Sequence, residues 1–177
     1  MTDFLQSENF SLLALTNLNS VTFWNLQLSS ADYLGSIYWA IQADSAGTPG
    51  TIIDSGTTSS VTRVATGLTD NTGTFAEYSN TFDLPLVQLA AGTTYWLTLH
   101  DGPLTSTDFA DFYWEWSNDF GDGQEFDQIA NAGWDSNLAE HAFSLTGVPE
   151  PSTVSLLLAA LLFGSFGMRK LSASRKN

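Results

Sequence analysis

Through residues 8–147 apolar and polar positions alternate with period two, and turn-forming residues interrupt the alternation every eight to twelve positions. Ile37, Trp39 and Ile41 alternate with Tyr38, Ala40 and Gln42; Tyr95, Leu97 and Leu99 alternate with Trp96, Thr98 and His100. Phe112, Trp114 and Trp116 alternate with Tyr113, Glu115 and Ser117, which puts the three rings on one face and in the core. Val21-Thr22-Phe23-Trp24 and Ala142-Phe143-Ser144-Leu145 supply further short strands. Breaks fall at Gly47-Thr48-Pro49-Gly50, Asp54-Ser55-Gly56, Asp70-Asn71-Thr72-Gly73, Ala91-Gly92, Asp101-Gly102-Pro103 and Gly121-Asp122-Gly123, whose residues supply positive or fixed φ. No stretch before residue 154 keeps a helical period for twelve residues. The pattern predicts an all-β fold of about nine or ten strands in an antiparallel β-sandwich, jelly-roll-like or immunoglobulin-like.

The pattern changes after residue 147. Pro151 to Met168 is eighteen residues without a charge, and Leu156-Leu157-Leu158-Ala159-Ala160-Leu161-Leu162-Phe163 within it leaves no polar face. As a helix this stretch would be about 27 Å long at roughly 1.5 Å per residue, close to a hydrocarbon core of about 30 Å. The expectation is a single C-terminal transmembrane helix over 152–168 and a basic tail over 169–177. Arg169, Lys170, Arg175 and Lys176 would stop transfer and hold the C-terminus on the cytoplasmic side, leaving the preceding residues outside. Gly147-Val148-Pro149-Glu150-Pro151-Ser152-Thr153 joins the two parts, and its prolines predict a stiff, extended, accessible linker.

Val148-Pro149-Glu150-Pro151-Ser152-Thr153, an apolar helix and a basic end, in that order, resemble the PEP-CTERM sorting signal of exported bacterial proteins. The resemblance divides the chain into an acidic ectodomain, 1–147, and a sorting signal, 148–177. It implies export, anchoring in the inner membrane, and recognition near Pro149-Glu150-Pro151 by an exosortase, a membrane transpeptidase. It further implies a role at the cell surface or in the extracellular matrix, associated with exopolysaccharide or biofilm. The same tail is catalogued as an ice-binding-protein C-terminal domain. Thr22-Phe23-Trp24, Ala43 to Gly50 and Ala91 to Leu97 look like ectodomains found ahead of such signals, which are β-sandwiches of unassigned function. The family's proteins begin with a signal peptide, whereas Met1 to Glu8 has neither a basic nor an extended apolar region. The expectation is a start upstream of Met1, or a fragment.

Charge narrows the function. Nineteen acids against five bases give a net charge of −14, and Arg63 is the single base among residues 1–148. A phosphate backbone would be repelled, so no nucleic acid partner is expected. The absence of cysteine removes disulfides, thiolate zinc sites and cysteine nucleophiles. His100 and His141 are the two candidate bases near neutrality, and neither stands in a catalytic motif. No catalytic residue is assigned and the chain reads as a non-enzyme; a secreted hydrolase built on two of the acids is the more distant alternative.

Two binding chemistries remain. Asn118 to Asp127 is dense in oxygen donors; if a cofactor binds, it is calcium, held by Asp119, Asp122, Glu125 and Asp127, although the EF-hand spacing fails at Phe120 and Ile129. Six Trp, five Tyr and twelve Phe offer surfaces on which sugar rings stack, and Trp24 and Trp134, with polar neighbours, are the candidates for exposure. The alternative reading is therefore a carbohydrate-binding module, with calcium as an optional aid.

Overall fold

The computed structural model describes Met1 and residues 3–106, 110–116, 121–128 and 133–149. Eleven strands occur among these residues: β1 Phe4–Ser11, β2 Thr16–Gln27, β3 Ile37–Asp44, β4 Pro49–Thr58, β5 Thr62–Thr69, β6 Ala76–Leu89, β7 Thr94–Asp101, β8 Phe112–Trp114, β9 Gln124–Asp127, β10 Trp134–Ser136 and β11 Phe143–Pro149. They form two sheets with antiparallel pairing, one ordered β10-β9-β1-β7-β3-β4 and the other β11-β2-β6-β5. β8 pairs with Asn25, Leu26 and Gln27 of β2, beyond the stretch of β2 that pairs β11, so the two short strands share one edge.

The core lies between the sheets and follows the alternation. Trp39 and Ile41 of β3 stand opposite Leu99 and Leu97 of β7, and all four are buried. From the other sheet Leu18, Val21, Phe23 and Phe82 complete the cluster, with Phe23 packed edge-on to Phe82 at 6.4 Å and to Trp114 at 6.2 Å. Burial of each such side chain contributes about 1.5–3 kcal/mol, which is why an acidic chain with few charges still folds.

Strand alternation fails at one predicted place. Phe112 and Trp114 are buried, but β8 ends at Trp114, and Trp116 keeps only an isolated bridge to His141 and is 59% exposed. The Glu115 amide still donates to the Trp24 carbonyl in register, but the Glu115 carbonyl accepts from the Ala142 amide at 2.8 Å, so the chain leaves β2 for the segment ahead of β11 before the third ring can enter the core.

Polar residues also occupy inner positions. Register places Gln6, Glu8 and Phe10 of β1 opposite Leu99, Leu97 and Tyr95, on the core face at the end of the sheet nearest β9. Both faces of β7 are buried: its second row, Trp96, Thr98 and His100, is hydrogen-bonded rather than apolar. Ser7 Oγ and Gln42 Nε2 meet Thr98 Oγ1 at 2.9 and 2.8 Å, and Trp96 Nε1 donates to Asp44 Oδ1 at 2.9 Å.

The expected transmembrane helix over 152–168 and the basic residues behind it lie outside the described residues; among the described residues no helix is long and apolar enough to cross a membrane.

Candidate functional site

Glu8, on the core face of β1, is 1% exposed. Its neighbour across the ladder beyond Gln124 is Gly123, where a Cβ would stand 3.0 Å from Glu8 Oε2 and 2.8 Å from the Ala139 carbonyl, so only glycine leaves the carboxylate its space. Glu8 Oε2 accepts from the His141 amide at 2.8 Å and Oε1 from the Asn9 amide at 3.0 Å. Burial nevertheless pushes its carboxyl up to about 7, the two amides opposing the shift and the nearby Glu140 and Asp122 charges adding to it. Oxygens of Glu8, Asp122 and Glu140 lie within 4.8 Å of one another, a separation compatible with oxygen ligands at about 2.3–2.6 Å from one hard cation.

The acids named from the sequence do not gather as a set. Asp122 belongs with Glu8 and Glu140 and accepts from Asn9 Nδ2. Glu125 faces Gln6 instead, with Gln6 Nε2 donating to Glu125 Oε2 at 3.2 Å, and Asp127 stands opposite Phe4 at the far end of β9. Asp119 lies outside the described residues. Glu8 and Glu140 escape a local reading because one sits 114 positions before Asp122 and the other 18 after it. The one signal is an acid at an inner position of the Phe4, Gln6, Glu8, Phe10 row.

Beside this cluster is a cavity of about 330 Å³. Its floor is Trp114, stacked on the His141 ring at 4.7 Å and held by an Nε1 bond of 2.8 Å to the Ala142 carbonyl. Burial pushes the His141 imidazole down to about 4, so the ring is neutral at pH 7. Asn137 Nδ2 lies 3.0 Å from its Nε2. The wall carries Phe75, Tyr113 and Trp116. Tyr113 is 46% exposed; its hydroxyl donates to Asp111 Oδ1 at 2.7 Å and its ring meets Phe75 edge-on at 5.7 Å. Phe75 is placed by Asp70, whose Oδ1 accepts from the Thr74 and Phe75 amides at 2.7 and 2.8 Å. A bond from the Thr72 hydroxyl joins these amide bonds and pulls the Asp70 carboxyl down to about 2.

Trp24 and Trp134 do not line this cavity. Trp24 is half-buried on β2, and Trp134 is half-buried on β10 with its ring 5.6 Å from Phe126, in the other sheet. Trp116, exposed at the cavity alongside Tyr113, is the ring that strand alternation assigns to the core.

The sorting segment begins within the fold. Val148 and Pro149, both exposed, are the last residues of β11 and stand opposite Asn17 and Thr16 of β2. The strand thus runs two residues past the expected boundary at 147, where a linker was predicted. Glu150, Pro151, Ser152 and Thr153 lie outside the described residues. Residues 147–171 match the family model of the PEP-CTERM protein-sorting motif. No curated protein matches the chain.

Proposed function

We propose that this is an exported, non-enzymatic protein of the bacterial cell surface or extracellular matrix, delivered by its C-terminal PEP-CTERM signal. The carrying observation is the sorting motif at 147–171, which starts in the last strand of the sandwich, so no second domain separates the folded part from its signal. The apolar run and basic end supply the anchor and its orientation, with the acidic sandwich outside the inner membrane. An exosortase cuts near Pro149-Glu150-Pro151, and the released sandwich acts by binding, in the company of exopolysaccharide. The state of the histidines supports a role without catalysis: His141 is buried and holds its proton poorly at neutral pH, and His100 is buried with Nδ1 3.1 Å from the Gly102 carbonyl.

The test is replacement of Pro149-Glu150-Pro151 by three alanines in a host carrying the cognate exosortase. Full-length protein should accumulate in the inner-membrane fraction while the unaltered chain is processed. Processing of the alanine variant at the normal rate and position overturns the assignment.

A further inference from the structure

We propose that the cavity walled by Phe75, Tyr113 and Trp116 binds a neutral saccharide, its ring stacked on Trp116 and its hydroxyls donated to Gln6 and Glu125. This goes beyond the sorting reading and stands or falls separately from it.

The rings have the required form. Trp116 and Tyr113 present apolar faces to solvent at the cavity mouth. Tyr113 is also fixed in place by Asp111 and Phe75, so little side-chain freedom is lost when a ligand stacks there. The polar groups decide the class of ligand. Gln6 is oriented by its Nε2 bond to Glu125, and the reverse amide orientation would set oxygen against carboxylate. Gln6 Oε1 is then buried without a partner, an acceptor that asks for a donor. Beside it Glu125 adds carboxylate acceptor capacity. Vicinal hydroxyls meet both requirements, whereas an anion meets neither, because among the described residues no lysine or arginine lines the cavity and His141 is neutral. A quaternary ammonium would stack on the rings but has no proton for Gln6 Oε1. The volume, about 330 Å³, lies at the small end of ligand sites, suited to the end of a glycan chain.

Calorimetric titration should use the full-length chain in a polyoxyethylene-ether detergent, which carries no sugar headgroup. The probes are cellobiose, maltose, chitobiose and mannobiose, with tetramethylammonium and putrescine as cationic arms. At least one disaccharide should bind. Trp116→Ala should weaken it tenfold or more, Gln6→Leu several-fold, and Trp24→Ala not at all, with thermal unfolding showing each variant folded. The proposal is overturned if no disaccharide binds at millimolar concentration or only the cations bind. It is equally overturned if affinity survives Trp116→Ala in a folded protein.

Discussion

Arg63 shows how much one residue organises. Its guanidinium lies over the Tyr33 ring at 4.0 Å and the Tyr78 ring at 4.8 Å, while Nε donates to Asn80 Oδ1 at 2.8 Å and Nη2 to Gln27 Oε1. Asn80 Nδ2 passes the network on to Asn25 Oδ1 at 2.7 Å, and Asn25, Gln27 and Asn80 are all buried. These amides occupy inner positions of the sheet because a planar, five-donor cation is there to satisfy them. Removing it leaves Asn80 Oδ1 buried without that donor, at about 1–3 kcal/mol, leaves Gln27 Oε1 with the bond from Asn25 Nδ2 at 3.2 Å, and ends the two ring contacts, at about 0.5–1 kcal/mol each. Arg63→Ala should therefore lower unfolding free energy by about 3 kcal/mol, read from denaturant midpoints at constant slope. Arg63→Lys should recover part of the loss, since an ammonium keeps the charge but neither stacks flat nor forks to two amides. A full recovery with lysine would show that charge alone matters.

At the scale of elements, β11 carries the junction between sandwich and signal. Its pairing with β2 shifts between Thr146 and Gly147, and a Cβ at Gly147 would stand 2.6 Å from Thr16 Cγ2 and 2.7 Å from the Asn17 carbonyl. The strand can follow β2 to Pro149 only because residue 147 has no side chain. Gly147→Ala should open the last turns of this ladder by about 1–3 kcal/mol, the usual cost of overpacking. Hydrogen exchange should then show lost protection at residues 146–148, with Phe143 to Leu145 little changed. Unaltered protection would mean that β2 absorbs the methyl group.

The elements also show which parts of the fold were legible. Rows such as Ile37, Trp39, Ile41 and Tyr95, Leu97, Leu99 declare their inner face because apolar burial dominates there. Gln6, Glu8, Asn25, Gln27 and Asn80 do not. Alternation reads a polar residue as outward, and the partners that overturn this lie on strands distant in sequence: Glu125 for Gln6, His141 for Glu8, Arg63 for Gln27 and Asn80. Trp116 misleads for a different reason, since a strand's period holds only while the strand does, and β8 stops two residues earlier. The sorting motif is legible because its signal is local and consecutive, and the family match covers 147–171.

For the whole molecule, the sum of buried ionisable groups predicts how stability follows pH. Burial is the main cause holding the Glu8, Asp101 and Glu115 carboxyls at about 7, with the hydrogen bond to Glu77 adding at Glu115. Unfolded, such groups titrate near 4. Between about pH 4.5 and 7 the folded chain therefore holds more protons at these positions than the unfolded chain, and stability falls as pH rises. His141 opposes this: burial pushes it down to about 4, below the ordinary value near 6.5, so it adds stability as pH rises through that window. Three carboxyls against one opposing group leave a net loss toward neutrality. The net charge of −14 deepens that loss through self-repulsion. The urea midpoint should be higher at pH 5 than at pH 7, and Glu8→Gln should reduce the difference by removing one of the three carboxyls. A midpoint that rises from pH 5 to pH 7 would mean that these carboxyls are ionised in the folded sandwich and balanced by a cation, which titration with calcium at pH 7 would then reveal as a further gain.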